Sequence, residues 1–408
     1  MKVLVIGAGG FIGRHVVRAL EEAGHSVTRG VRSPRTEGEV RADFTLMRQP
    51  AKWMPALKDV DVVVNAAGIF RERSASQFAD VHDAGPRALF AACEAGGVRS
   101  VVHISALGAD ADARSGFHLS KRSADSDLAA RSLDWVIVYP SLVFGPGGQS
   151  ARQFASLASM PVVPLPGNGL QRVQPVHVQD LAAAIVRLVQ GAAPRSRIDA
   201  VGPKAVSVRD WLGVLRAQMG LARAPFIPVP LVLVRAVAGS EAVDMLQRGN
   251  TASPAAFSCV LGRPPRPVEA FLQGTDAALL RVTSRLAWLM PLLRWALALT
   301  WVVSGVVSLG LYPMASSLEI LARAGLTGAI AYGALFSGAF LDIAMGVATL
   351  FLKPGRRWMW RAQLAVIAVY TAIITVALPE LWLHPFGPVL KNLPMMAAIV
   401  LLHELEQS

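Results

Sequence analysis

Cysteine is nearly absent from this 408-residue chain: Cys93 and Cys259 are the two, far apart and without metal-ligand neighbours. That pattern offers no metal site, and both read as ordinary buried residues of a reducing compartment. Charge is scarce as well, at 17% of residues against 53% hydrophobic ones, a balance more apolar than an ordinary soluble domain shows. No charged-then-apolar leader opens the sequence. "MKVLVIG" runs straight into a strand pattern, so the first domain is expected in the cytoplasm. The net charge of +12 comes from scattered arginines with no aromatic stacking residues interleaved, which argues against nucleic acid as a partner. A membrane protein with a basic cytoplasmic face accounts for the same number.

The apolar excess is uneven. Up to about residue 275 charged and apolar residues mix normally, whereas from Leu286 onward long apolar runs dominate. In the first half, Lys2 to Ile6 reads as a buried parallel strand, Gly7, Gly10 and Gly13 follow as G-x-x-G-x-x-G, and a helical pattern runs to Ala23. Glycines there let backbone amides approach a pyrophosphate, whose charge the helix N-terminus favours. The second strand, "HSVTRGV", ends at Arg32 with no acid nearby. A carboxylate at that position holds the ribose hydroxyls of NAD, and a cation holds the 2′-phosphate of NADP. Arg32 therefore favours NADP(H) over NAD(H), the alternative being a solvated loop charge like Arg35. Further strands are expected at "EVRADF", "DVVVNAAG", "SVVHISA" and "DWVIVYPSLVFG", with helices over 75–95 and 117–131. The alternation implies an α/β fold, a Rossmann doubly wound parallel sheet whose strand ends bring Gly7, Asp43, Gly68, Ser105 and Pro140 to one crevice.

On "GAGGFIG", "NAAG", "HISALGA", "YPSLVFGPGG" and "QPVHVQDLAAAI", residues 1 to about 270 resemble an atypical or extended short-chain dehydrogenase/reductase, nearest its NmrA-like and complex I accessory-subunit-like branches. The resemblance implies cofactor contacts at Gly7, Gly10, Phe11, Ile12, Gly13, Arg32, Asp43, Phe44, Ala66, Ala67, Gly68, Lys121, Pro140, Ser141 and Val143. It also implies a small cap on the substrate side from about 150 to 250. Such reductases carry a Ser and a Tyr-x-x-x-Lys, the tyrosine and lysine sharing a helix face at i and i+4. Here Ser105 and Lys121 stand in the expected frame, but Phe117 occupies the acid position. Phenylalanine has no ionisable proton to give. His118 is rotated about 100° round the helix, and His177 reads either as a structural position or as a substitute acid. Two readings stay open: Lys121 holds ribose in a domain that only binds cofactor, or hydride transfer proceeds with the proton from water or substrate.

Residues 276–285 read as a linker, and four apolar segments follow at roughly 292–311, 327–352, 362–379 and 386–403. They predict an all-α four-helix transmembrane bundle over 286–408. Arg281, Arg285 and Arg294 precede the first segment, and Lys353, Arg356, Arg357 and Arg361 separate the second from the third, so both termini are expected on the cytoplasmic side of the inner membrane. Trp288, Trp295, Trp358, Trp360 and Trp382 fall where an aromatic belt would lie. "GLYPMASSLEILARAGLTG" and "ITVALPELWLHPFGPVLKNLP" resemble the DoxX-like family of small membrane proteins. Asp342 and Lys391 are ionisable groups within spans, which mark function and would be able to pair; Glu380 and His384 form a second polar cluster. The expected partners are the lipid bilayer and a quinone-like or other small-molecule acceptor. The leading expectation is a membrane-tethered NAD(P)H-binding oxidoreductase, against a non-catalytic NADP(H)-binding sensor or assembly subunit. An epimerase acting on a nucleotide sugar is disfavoured by the missing tyrosine.

Overall fold

Continuous apolar strands form where both faces of a sheet are covered, and the first strands show why. In the computed structural model, which describes residues 1–69, 78–272, 274–353, 355–385 and 387–406, β1 (Lys2–Ile6) sends Val3 and Val5 to one side and Leu4 and Ile6 to the other. The next strands are β2 (Ser26–Val31), β3 (Glu39–Arg41), β4 (Val62–Asn65), β5 (Ser100–Ile104) and β6 (Asp134–Pro140). Short strands β7 (Val143–Phe144), β8 (Val163–Pro166), β9 (Arg172–Val173) and β10 (Val176–His177) precede β11 (Ser196–Ala200), and β12 (Val206–Ser207) and β13 (Phe226–Val229) follow. Seven strands make one parallel sheet in the order β11-β6-β5-β4-β1-β2-β3. The order reverses between β1 and β4, which is where a doubly wound sheet opens a crevice.

Helix α1 (Phe11–Glu22) buries Val16, Val17 and Leu20 on one face of this sheet. Helices α2 (Gly85–Ala95) and α3 (Gly116–Ala129) cover the other face, around Trp53, Phe90 and Leu128. The stretch from about 150 to 250 is not a single cap. Helix α4 (Gln149–Ser159), β8, β13 and α6 (Val208–Gln218) build a separate layer around Phe144, Trp211 and Phe271, whose rings lie 5.2–5.7 Å apart. Between them, α5 (Val178–Val189) and β11 return to the main sheet, because Leu181, Ile185 and Leu188 repeat at helical spacing toward α1. Helices α7 (Leu231–Ala238), α8 (Ser240–Arg248) and α9 (Ala255–Leu261) complete this part. Cys93 is buried, and burial pushes its thiol up to about 12; Cys259, expected inside, is exposed.

The chain divides into two compact units, Met1–Ser284 and Arg285–Ser408. The expected linker at 276–285 is instead helical, because α10 (Gly274–Val306) starts there and no glycine or proline interrupts it before Pro291. In its first turns Ala277 and Leu280 pack on the Phe271 cluster. The second unit adds α11 (Met314–Arg323), α12 (Gly328–Phe351), α13 (Arg357–Ala377) and α14 (Asn392–Leu405). Among the described residues, three helices are long and apolar enough to cross a membrane: Gly274–Leu311, Gly328–Phe351 and Arg357–Ala377. The fourth expected segment is shorter than read, since Gly387 at φ 51° and Pro388 hold off the helix until Asn392. Its 14 residues reach about 21 Å at 1.5 Å each.

Within this unit, α10 and α12 touch through backbone. A Cβ on Gly305 would stand 2.5 Å from the Ala339 carbonyl oxygen, and one on Gly346 would stand 2.7 Å from that of Ala298. Small residues permit such approach where apolar lipid offers no drive to associate. Replacing Gly346 with Val should lower stability in detergent by about 1–3 kcal/mol through overpacking. Gly333→Val, with open space around it, should change it far less. Thermal unfolding of the two variants against the parent chain checks this.

Candidate functional site

The site begins with three backbones meeting. Gly7 has φ 76°, and a Cβ there would lie 2.8 Å from Ala67 Cα; a Cβ on Gly13 would lie 2.1 Å from the Gly7 oxygen. Only glycine fits both places. Gly10 donates its N–H to Gly7 O at 2.9 Å and is the N-cap of α1, which has no capping side chain and no acid in its first turn. The first N–H groups of α1 are thus left for an external acceptor. Phe11 packs toward Gly145 and Gly148, with Arg14 above its ring, and Ile12 leans on the core. This arrangement, a cradle that a Cβ would fill beside an uncapped helix start, fits a dinucleotide pyrophosphate.

Around it stand the other expected residues. Arg32 is exposed directly after β2, and Asp43 turns its carboxylate back to accept from the Thr45 N–H and hydroxyl at 3.0 and 2.7 Å. Phe44 packs against Trp53 and lies under Gly85, so its side chain belongs to the core rather than the crevice. Ala66, Ala67 and Gly68 follow β4, with Ala67 N–H bonded to Asn65 Oδ1. Pro140 ends β6, Ser141 donates to the Gln174 carbonyl at 2.5 Å, and Val143 begins β7.

Lys121 is 5% exposed, donates to the Ile104 carbonyl at 3.1 Å, and lies 3.6 Å from where a Gly68 Cβ would be. Burial pushes its pKa down to about 8, against the Asp125 carboxylate, which raises it. Its Nζ sits 5.8 Å from the centroid of the Phe117 ring, so the helix does place positions 117 and 121 together. Ser105 is buried directly after β5. Its hydroxyl donates to Asp125 at 2.6 Å, inside the domain, where Asp125 also neighbours His103 at 3.3 Å. His118 is buried beside Ser115 and Gly108. His177 caps α5 by accepting the Gln179 N–H and packs on Phe271, a structural place.

Sequence reasoning missed His82. Its Nε2 accepts the Ile69 N–H at 3.0 Å, so Nδ1 carries the proton and donates to Ser120 Oγ at 3.1 Å. Ser120 in turn donates to the Phe117 carbonyl at 2.9 Å. Phe78 stacks on the imidazole, 5.2 Å away, and the Phe117 ring meets it edge-on. Burial, then the Lys121 and His103 charges, push its pKa down to about 2, so it stays neutral. A lone histidine in "FADVHDAG" carries no spacing signal, and its neighbours at 70–77 lie outside the described residues.

In the second unit, Asp342 takes hydroxyl bonds from Ser304 at 3.0 Å and Tyr370 at 3.4 Å, not a bond from Lys391, which is exposed at the start of α14. Glu380 pairs with Arg323. Trp360 is buried and donates to Glu406, so it is not a belt residue, whereas Trp295 and Trp358 are exposed.

Two family models match. Residues 3–199 match the NAD-dependent epimerase/dehydratase family and residues 298–400 the DoxX-like family. The chain is an epimerase-type short-chain dehydrogenase/reductase domain fused to a DoxX-like domain. Among curated relatives, ceramide reductase of Caulobacter vibrioides is 30% identical over 45% of this chain and 59% of its own. Subunit 9 of the mouse NADH dehydrogenase (ubiquinone) 1 alpha subcomplex is 28% identical over 56% of this chain and 63% of its own. The chain therefore spans about 59–63% of the length of these two relatives. A human epimerase family protein crystallised with NADPH aligns with 70% of this chain and 99% of its own, at 21% identity and a TM-score of 0.55, which shows a shared fold. The fold binds NAD or NADP.

If the Lys121 cation contributes to holding cofactor, affinity should weaken as pH rises through about 8, where the free side chain loses its proton. Lys121→Met should weaken binding throughout and remove that bend. Calorimetric titration of NADPH between pH 6.5 and 9.5 reads both effects.

Proposed function

We propose that the protein is a membrane-held oxidoreductase that uses NADPH to reduce a lipid-soluble acceptor, quinone-like or another small carbonyl compound. The observation that carries the reading is Lys121, a buried lysine kept beside Gly68 and an intact glycine cradle. Burying an ammonium is unfavourable, so its retention argues for a bound group that uses its charge. Gly7, Gly10, Gly13 and the start of α1 would hold the pyrophosphate, with Phe11 and Ile12 beside it. Arg32 would take a 2′-phosphate and Asp43 the adenosine side. Ala66, Ala67 and Gly68 would back the cofactor, Lys121 would hold the ribose, and Pro140, Ser141 and Val143 would line the far end. The nicotinamide supplies the hydride when bound. The acceptor oxygen takes its proton from water, because Phe117 has none to give, Ser105 is bonded to Asp125, and His82 is neutral and already donates to Ser120.

The chemistry named for two relatives agrees in kind: the Caulobacter protein is a ceramide reductase and a Stenotrophomonas maltophilia relative, 29% identical over 48% of this chain and 67% of its own, a 2-alkyl-3-oxoalkanoate reductase. Both substrate names describe lipid-like molecules. We place the chain in the cytoplasmic membrane with four passes and both termini inside. Support comes from the second unit, where Glu406 at the end of α14 bonds Arg294 and the Gly355 N–H of the α12–α13 loop, so those parts share one end. The cation-rich loop at 353–357 belongs on the cytoplasmic side.

A second reading, a non-catalytic NADP(H) sensor or assembly subunit, is favoured by Phe117 and the bond that engages Ser105 with Asp125, and by the likeness to the mouse NADH dehydrogenase subunit. Full-length protein in nanodiscs, mixed with NADPH and a short-chain quinone, separates the two. Reductase function predicts NADPH consumption, and Phe117→Tyr should raise the rate at least about tenfold, positioned acids being worth 10²–10⁴. NADPH binding without consumption supports the sensor; failure to bind NADPH or NADH removes both.

A further inference from the structure

Helix α7 carries a largely exposed apolar face. In LVLVRAVA, successive residues turn by about 100°, which gathers Val232, Leu233, Ala236 and Val237 on one side. Val232 is 77% exposed, Leu233 58% and Val237 87%. Leu231 turns the other way, 3.6 Å from the place of a Gly167 Cβ, and anchors the helix. Ile227 on β13, directly before α7, and Leu170, in the turn after β8, are also largely exposed. Contiguous apolar surface of this kind marks an interaction site rather than idle surface.

The chemistry of the face and its rim identifies the occupant. The face holds valine, leucine and alanine, and lacks the tryptophan and tyrosine that anchor protein interfaces. An exposed arginine stands on the adjoining β13 side: Arg209, which lies over the Phe226 ring, makes no ion pair among the described residues. Aliphatic residues on one side with an unpaired cation on the adjoining strand suit a helix lying in the headgroup region of an anionic leaflet. The same chain carries membrane-crossing helices, the first beginning at Gly274, so lipid is always at hand. We propose that α7 seats the nucleotide-binding unit on an anionic lipid surface.

The seat has a mechanical neighbour. After Gly239 at φ 91°, α8 ends at Arg248, which clamps both Asp110 oxygens at 2.5 and 2.6 Å and the Gly108 carbonyl at 2.7 Å. That loop leads into α3 and Phe117. A lipid-soluble acceptor leaving the bilayer at α7 would meet it first. This consequence rests on the proposed function; the lipid seat does not.

The test uses the full-length chain with Cys259→Ser, so that Cys93 is the remaining native thiol and is buried. Val237→Cys is labelled with bimane and reconstituted in phosphatidylcholine–phosphatidylglycerol vesicles; Lys58→Cys, exposed and far along the sequence, is the control. Nitroxide-labelled lipid should quench the Val237→Cys probe at least about twofold more than the control, and aqueous iodide should quench it less. Vesicles without phosphatidylglycerol should reduce the lipid quenching. Iodide quenching equal to the control would overturn the proposal. Protection from both quenchers would overturn it equally, since protein rather than lipid would then cover α7. Quenching indifferent to phosphatidylglycerol would overturn the anionic specificity.

Discussion

The nucleotide-binding unit depends on the close approach of three backbones at Gly7. Strand β1 ends there, α1 starts a few residues on, and the segment after β4 crosses within contact distance at Ala67. The approach follows from topology: β1 and β4 pair where the strand order reverses, so the segments leaving their ends meet. Any side chain at Gly7 or Gly13 would force those backbones apart and pull the free N–H groups of α1 out of line. The remaining parts of the crevice are set out from this point along the strand ends, with Gly68, Lys121 and Pro140 each one strand further on.

Burial governs the electrostatics of that crevice. Lys121 and His82 both approach Gly68, to the same 3.6 Å from its would-be Cβ. Two cations there would repel each other. The outcome is uneven, with the imidazole held near 2 and the ammonium near 8, so one charge survives at neutral pH. His82 is then a fixed neutral wedge, stacked by Phe78 and wired through Ser120 to the backbone of Phe117. The ring at 117 completes an aromatic wall with Phe78 and His82. A site arranged in this way keeps one positive charge, on Lys121, beside Gly68.

How much of this was legible in the sequence follows from where the forces act. Glycines at 7, 10 and 13, alternating strands and the Lys121 frame are local signals, and each reappears where its spacing put it. The partner of Ser105 was not legible, because Asp125, 20 residues away, meets it from another element. His82 and the cap were hidden for the same reason: α5 and β11 return to the sheet through packing on α1, which no motif announces. The expected linker failed differently. Composition shifts near 276, but helix propensity does not, and α10 simply continues. Cys259 was misjudged because burial of a short helix depends on which face its neighbours leave open.

The second unit solves the problem of polar groups in an apolar setting three times, and the solutions differ. Near one end, Arg294 answers Glu406 at 2.9 Å and also bonds the last carbonyls of α12, so two charges neutralise each other where the helix termini need donors. Further along, Trp301 donates to Gln363, and Gln363 to Thr349, a chain without any formal charge. Deeper in α12, Asp342 meets two hydroxyls and makes no ion pair among the described residues. Ionisable groups within spans are met by polar partners, and here both partners are hydroxyls. The close glycine contacts between α10 and α12 keep Ser304 beside Asp342. The first two arrangements are sufficient as packing devices. Asp342 differs from both, a carboxyl group on α12 met by two hydroxyls from α10 and α13 rather than by a charge or an amide.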